Sequence, residues 1–202
     1  NNDVKLLNND FHHSLKDLKQ DGVYGVLIHN ADDLLKPGAE KLFDKLQELK
    51  QAEKIVKIGV SVYDHSQLQS ILDNFAIDLV QLPFNILDRR MIDSGMFSTL
   101  RSKGVEVHAR SVFLQGLLLM TEQSRHEKFK RWGALWKVWH EWLNDNQITA
   151  LEATIRHAIS MPEISKVLVG VDTIDQLKEI VMATPGVLPD IPPEMFTNDV
   201  GL

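Results

Sequence analysis

The chain of 202 residues contains no cysteine. It can therefore form neither disulfide bonds nor a zinc site with thiolate ligands, and a reducing compartment is expected. Long hydrophobic segments are also absent, because the longest one, Val112 to Met120, is interrupted by Gln115 and is shorter than the roughly 20 residues that cross a bilayer. The first residues lack the charged and then apolar pattern of a signal peptide. These absences predict a cytoplasmic protein with no membrane partner.

The chain also has fewer positively than negatively charged residues. The chain has 22 Lys and Arg against 28 Asp and Glu, for a formal net charge of -6. This balance argues against nucleic acid or an anionic membrane surface as the main partner. Hydrophobic residues make up 44% of the chain, which is typical of a globular protein whose length allows a substantial core. Because no linker or composition break divides the sequence, we expect a single domain over residues 1–202.

Five short apolar runs are rich in β-branched residues. Each is nearly continuous in apolar residues instead of alternating with polar ones, which is typical of strands buried on both faces of a parallel sheet. The segments between them have helical periodicity, so the sequence predicts alternating strands and helices in an α/β fold. The runs are Val23 to Ile28, Ile55 to Val60, Ile77 to Leu82, Val105 to Ala109 and Lys166 to Val171.

The intervening helices have recognisable stripes and caps. Leu42, Leu46 and Leu49 recur at spacings of four and three, which places them on one helical face. Thr173 is followed three residues later by Gln176, the pattern of a capping box at the start of a helix. A further helix is expected from about Asp10 to Gln20, and another from about Met91 to Lys103.

A helical insertion of about residues 119–146 precedes the last predicted strand. Trp132, Trp136 and Trp139 recur at helical spacing within it, which favours core packing over a role as a wall of a substrate pocket. The charge-rich segment from Glu122 to Arg131 favours a solvated surface, with a substrate-covering loop as the alternative.

Polar residues follow the predicted strands at their carboxyl ends, which is where parallel α/β folds place their active sites. A complete (β/α)8 barrel needs eight strands and typically about 250 residues, so five strands indicate either a smaller open sheet or a barrel that lacks three strands. The polar or glycine residues at these ends are His29, Ser61, Gln81, Arg110, Ser111, Gly170 and Asp172.

Five pieces of the sequence, in order, resemble the aldo-keto reductases. The resemblance extends from the helix before His29 to about Val181, and it depends on the order of the pieces because each piece alone is weak. It implies an incomplete (β/α)8 TIM barrel in which the five strands correspond to strands 4–8. The pieces are Leu27 to His29, Ile58 to Ser61, Val80 to Asn85, Ala109 to Leu118 and Val169 to Glu179.

The resemblance implies an oxidoreductase that reduces an aldehyde, ketone or sugar carbonyl with NADP, or alternatively NAD, and without a metal. His29 would orient the substrate carbonyl, while Ser61 and Gln81 would bind the nicotinamide carboxamide, which presents one acceptor and two donors. The other residues implied in cofactor binding contact the pyrophosphate and the adenosine half. They are Arg110, Ser111, Leu114, Gly116, Gly170, Asp172, Gln176 and Glu179.

The chain also departs from the family pattern. The family's tyrosine proton donor, with its lysine and aspartate, would lie before residue 1. Gln176 stands where an arginine often contacts the 2′-phosphate of NADP, and Ile180 where an asparagine is frequent, so the sequence leaves NAD and NADP open. The alternative function is a catalytically inactive barrel fragment that acts as a dinucleotide-binding or assembly module. The sequence leaves the oligomeric state open.

Overall fold

The computed structural model describes residues 2–199 and has an α/β fold. Its five strands form one sheet in the order β1–β2–β3–β4–β5, so each strand follows its sequence neighbour. The pairs β1–β2, β2–β3 and β4–β5 are parallel, as the continuous apolar runs predict. The strands are β1 (Val23–Ile28), β2 (Ile55–Ser61), β3 (Leu79–Pro83), β4 (Glu106–Arg110) and β5 (Lys166–Val167).

Helices connect the strands, as the sequence periodicity predicts. Short 3₁₀ turns lie at Ala31–Leu34, Leu117–Leu119, Glu127–Trp132 and Pro193–Met195. No helix within residues 2–199 is both long and apolar enough to cross a membrane. The α-helices are α1 (Asn2–Leu18), α2 (Ala39–Gln51), α3 (His65–Leu72), α4 (Arg90–Asp93), α5 (Met96–Ser102), α6 (Gly133–Asp145), α7 (Ala150–Ser160) and α8 (Ile174–Ala183).

The chain divides into two compact units. The first extends to Leu82 and includes Ser98–Val107, and the second comprises Pro83–Phe97 and the chain from His108 onward. A single domain over residues 1–202 stays a prediction.

The core of the first unit lies where helix α2 packs against strand β2. Leu46 and Leu49 of the predicted stripe are buried on α2, and Phe43 joins them with its ring 4.9 Å from that of Phe75. Leu42 is only partly buried, so the apolar face of the helix is centred one position further along than the sequence indicates.

Strands β2 and β3 approach closely at a glycine. A Cβ atom on Gly59 would lie 2.5 Å from the backbone oxygen of Leu79, which is shorter than van der Waals contact. Gly25 on β1 also faces Leu79, but a Cβ there would meet the end of the Leu79 side chain at 3.1 Å. The close approach of the two backbones therefore depends on the missing side chain of Gly59.

Tryptophans of helix α6 build the main core of the second unit. Trp136, Trp139 and Trp142 are buried in a cluster that includes Leu118 and Met195. The prediction that the tryptophans pack in the core is thus confirmed, with Trp132 partly buried at the edge of the same cluster.

The segment from Glu122 to Arg131 is mostly exposed, as expected of a solvated surface. Arg125 is an exception, because its guanidinium lies 4.1 Å from the ring centroid of Trp136 and 3.2 Å from His140 Nε2. Burial and the nearby Arg125 charge both lower the pKa of His140.

Several element boundaries differ from the predicted ones. The first helix begins at Asn2 and ends at Leu18, earlier at both ends than expected. The helix expected from Met91 to Lys103 is two short helices separated at Gly95, whose φ of 72° interrupts the helical backbone. Strand β5 ends at Val167, and Leu168, Val169 and Gly170 of the same apolar run line a cavity.

Candidate cofactor-binding site

Ser61 and Gln81 lie side by side at the carboxyl ends of strands β2 and β3. They are register partners in the parallel ladder, and the N–H of Val62 donates to the Gln81 carbonyl at 3.0 Å. Directly paired residues of parallel strands project to the same face of a sheet. The structure therefore brings together two of the residues that the sequence predicts as carboxamide ligands.

Neither side chain is used by the fold. Ser61 is only 4% exposed and Gln81 is partly buried. Within residues 2–199, neither the Ser61 hydroxyl nor the Gln81 side-chain amide hydrogen-bonds to another residue. Polar groups that are withdrawn from water normally have hydrogen-bond partners, so this pair of free groups suits a ligand that brings a donor and an acceptor.

His29 follows the end of strand β1 at the level of Ser61, because Ile28 pairs with Val60. Its side chain is exposed and lines a cavity of about 770 Å³ together with Asn30 and residues of α1 and α2. An imidazole in this position can donate a hydrogen bond to a small molecule in the cavity.

The second unit contains a cavity of about 750 Å³ at the carboxyl ends of strands β4 and β5. One wall is the loop that follows β4, from Arg110 to Leu119, and the other is formed by Leu168–Gly170 and helix α8. The residues on the two walls that the sequence predicts as cofactor ligands are Arg110, Ser111, Gly116, Gly170, Asp172, Gln176 and Glu179.

The loop after β4 has an unusual backbone. Ser111, Leu114 and Gln115 have φ values of 59°, 49° and 56°, and Gly116 follows with 85°. Non-glycine residues rarely adopt this left-handed region, and they cluster at ligand-binding sites where the surrounding structure enforces them. Such turns gather backbone N–H groups into a concave surface that favours anions.

Some of these N–H groups are available to a ligand. Those of Leu114 and Gly116 donate within the loop, to the carbonyls of Ser111 and Phe113 at 2.8 and 2.9 Å. In the described part of the chain, the N–H groups of Phe113 and Gln115 have no acceptor. Together with the Arg110 guanidinium, they can bind an anionic group such as a pyrophosphate.

The opposite wall begins at a capped helix. The Thr173 hydroxyl accepts from the Gln176 N–H at 3.2 Å, and Gln176 Oε1 accepts from the N–H groups of Asp172 and Thr173 at 2.7 and 3.4 Å. This confirms the predicted capping box. Gln176 and Glu179 lie three residues apart on one face of α8, so both reach the cavity.

Leu114 is the one predicted cofactor ligand of this unit that does not line the cavity. Its side chain packs against the tryptophan cluster instead. Sequence reasoning also missed other lining residues on separate elements. Some of them lie inside the pieces that resemble the family, but their residue types do not single them out. They are the apolar Val112, Phe113, Leu119, Leu151, Leu168, Val169 and Ile180, together with the polar Gln115.

A tyrosine, a lysine and a glutamate also meet in the first unit. The Tyr24 hydroxyl donates to Glu106 Oε2 at 2.5 Å, and Lys57 Nζ lies 2.5 Å from the same oxygen. The bond to Glu106 raises the pKa of Tyr24, which opposes ionisation of the phenol. Because Tyr24 and Glu106 stand at the amino ends of β1 and β4, this cluster is at the wrong end of the strands to act with His29.

Known proteins agree with this architecture. Residues 5–191 match the model of the Aldo/keto reductase family. The holo form of aldo-keto reductase AKR11C1 from Bacillus halodurans superimposes with a TM-score of 0.70 at 20% identity, over 90% of this chain and 62% of that one. Its apo form gives 0.72 at 19% identity, over 95% and 66%.

A third solved structure is the thermostable aldo-keto reductase Tm1743 in complex with the inhibitor epalrestat. It gives a TM-score of 0.67 at 22% identity, over 94% of this chain and 63% of that one. At such identities the likeness shows the fold, and the chain spans less than two thirds of the length of these three structures. A comparison with curated proteins gave no match.

The chain belongs to the aldo/keto reductase family. Its five parallel strands with their helices form part of the (β/α)8 barrel of that family, which confirms the fold predicted from the sequence. In the described part of the chain, no group of three or more His, Cys, Asp or Glu side chains is arranged to hold a metal ion.

Proposed function

We propose that this chain binds a nicotinamide dinucleotide and takes part in the reduction of an aldehyde, ketone or sugar carbonyl. The observation that carries the proposal is the 750 Å³ cavity, where Arg110 and the free N–H groups of Phe113 and Gln115 suit a pyrophosphate. The unpartnered Ser61 and Gln81 suit a carboxamide in the same way. Each of these donor sets, taken within its own unit, supports the proposal.

Each residue has a defined part in the proposal. The bound nicotinamide would supply hydride to the carbonyl carbon. Ser61 and Gln81 would hold the carboxamide in one orientation, which fixes the face of the ring that meets the substrate. His29 would donate a hydrogen bond to the carbonyl oxygen and polarise it. By the family resemblance, a tyrosine would supply the proton to the carbonyl oxygen.

Cofactor binding can be measured without turnover. Isothermal titration calorimetry of the full chain with NADH, NADPH and ADP-ribose tests the central claim. We expect Arg110→Gln to weaken ADP-ribose binding by about tenfold or more, because it removes a charged partner of the pyrophosphate. Arg101→Gln is the matched control, since Arg101 is exposed and lies outside the cavity.

The same titrations can overturn the proposal. If the full chain binds none of the three compounds, it is not a dinucleotide-binding chain. Binding without carbonyl reduction, in a protein that also carries the expected tyrosine, would refute the catalytic part. A non-catalytic binding module would then explain the cavity.

A further inference from the structure

We propose that the adenosine end of the cavity selects NAD(H) over NADP(H), because helix α8 and the residue before its cap present carboxylates and no cation to it. This inference depends on the proposed function and specifies its cofactor. The two cofactors differ by one phosphate on the adenosine ribose, so the charges on the wall that holds this ribose decide between them.

Charge on the cavity wall is divided between the two sides. Within residues 2–199, Arg110 is the one Lys or Arg that lines the cavity, and it lies on the wall formed by the loop after β4. The opposite wall carries Asp172 and Glu179 with the neutral Gln176 between them. A pyrophosphate, which both cofactors have, suits the first wall, and the adenosine half is left to the second.

Neither carboxylate on the second wall is neutralised. In the described residues, Asp172 and Glu179 make no ion pair and accept no side-chain hydrogen bond. Asp175 on the same helix differs, since it pairs with Lys178 at 3.0 Å and lies outside the cavity. The carboxylate oxygens of Asp172 and Glu179 are therefore available as acceptors to a ligand in the cavity.

At the start of helix α8, the backbone N–H groups of the cavity-lining residues already have acceptors and do not favour a phosphate. A helix N-terminus usually attracts phosphate through its free N–H groups. Here the Gln176 side chain takes the N–H groups of Asp172 and Thr173, and the Thr173 hydroxyl takes that of Gln176. The N–H groups of the cavity-lining Asp172 and Gln176 are thus occupied by the capping box, and the carboxylates add repulsion. In the described residues the N–H groups of Ile174 and Asp175 have no acceptor, but neither residue lines the cavity.

Carboxylates on this wall suit the ribose of NAD(H), because its hydroxyl groups are hydrogen-bond donors. A ribose 2′-OH donates a hydrogen bond to an acidic side chain, whereas a 2′-phosphate would place like charges together. The second wall is accordingly built for the unphosphorylated ribose. The Gln176 replacement noted in the sequence is one part of this arrangement, and the two free carboxylates are the other.

Titration calorimetry of the full chain with NADH and NADPH tests the inference. We expect NADH to bind at least about tenfold more tightly than NADPH at low salt, with a gap that narrows as salt is added. Asp172→Asn and Glu179→Gln should each reduce the gap, and Asp172→Arg should reverse it. Asp175→Asn is the matched control and should leave the ratio unchanged, because Asp175 does not face the cavity.

The possible results separate the two proposals. Equal or tighter binding of NADPH by the unmodified chain would refute NAD selectivity while supporting dinucleotide binding. A preference for NADH that persists in Asp172→Asn, Glu179→Gln and Asp172→Arg alike would refute the role of the carboxylates. Failure to bind either nucleotide, or ADP-ribose, would overturn the proposed function itself.

Discussion

His157 on helix α7 stacks on Phe84, with the ring centroids 5.1 Å apart and the ring planes at 9° to each other. The imidazole is buried, with only 6% of the residue exposed. Burial lowers the pKa of His157 to about 4, and the positive charge of Arg89 adds to the effect. The folded protein thus holds this histidine neutral well into the acid range.

Stability is expected to depend on pH through His157. The unfolded chain protonates this histidine near its ordinary pKa of about 6.5, but the folded chain resists until about pH 4. Above about pH 6.5 the histidine is neutral in both states and does not change the free energy of unfolding. As the pH drops from about 6.5 toward 4, only the unfolded chain binds the proton, so the free energy of unfolding falls. The expected contribution to the loss is roughly 2–3 kcal/mol between pH 7.5 and 4.5, measured by urea unfolding.

A variant isolates this contribution. His157→Phe keeps a flat ring against Phe84 but cannot titrate, so its stability should fall less steeply with acid than that of the unmodified chain. His13→Gln is the control, because His13 is exposed and its replacement should leave the pH dependence unchanged. Identical pH profiles for His157→Phe and the unmodified chain would contradict the prediction.

Gly59→Ala is expected to destabilise the first unit by roughly 1–3 kcal/mol, since the new Cβ atom would force the Leu79 backbone away. Gly25→Ala is the matched control, because its one tight contact would be with the end of the Leu79 side chain, which can rotate, while Lys57 lies at ordinary van der Waals distance. Urea unfolding should rank Gly59→Ala as the more damaging change. Equal stabilities would show that the strands tolerate a wider separation.

Ser61→Ala should weaken NADH binding by about fivefold, the effect of one lost hydrogen bond. ADP-ribose lacks the nicotinamide, so its affinity should stay unchanged. Calorimetric titration of the same variant with both compounds provides an internal control. An equal loss for both compounds would place Ser61 away from the carboxamide.

His29→Ala should reduce the rate of carbonyl reduction by about 100-fold or more, in a protein that also contains the tyrosine donor. NADH affinity should change little, since His29 is assigned to the substrate and not to the cofactor. Asn30→Ala is the control, because Asn30 lines the same cavity but hydrogen-bonds to Asp33. A rate equal to that of the unmodified enzyme would remove His29 from the mechanism.

The sequence predicts the elements whose signals are local. The continuous apolar run predicts both ends of β1. The expected burial on both faces is wrong for this strand, because it lies at the edge of the sheet and only its Ile28 is buried. The Thr173–Gln176 cap could be predicted because both of its partners lie within one helical turn. Polar residues at strand ends can be predicted as neighbours because a parallel sheet brings those ends to the same edge.

Other features depend on contacts between distant residues. The left-handed backbone of Ser111 and Gln115 has no signal in residue type, because the surrounding structure enforces it. Leu119 and Leu151 meet at one cavity although they belong to separate elements. The sequence predicts Leu114 as a cofactor ligand from its place in the loop, whereas its apolar side chain packs against the tryptophan cluster.

The capping role of Gln176 constrains how cofactor preference could change over evolution or by engineering. An arginine at this position would supply the cation that a 2′-phosphate needs, but it has no acceptor oxygen for the N–H groups of Asp172 and Thr173. Gln176→Arg alone would thus add a cation that binds a phosphate, but it would also remove the side-chain cap at the start of helix α8. Asp172 contributes only its backbone N–H to the cap, so its side chain can be replaced without loss of the cap. A change of cofactor preference is therefore more accessible through Asp172 than through Gln176.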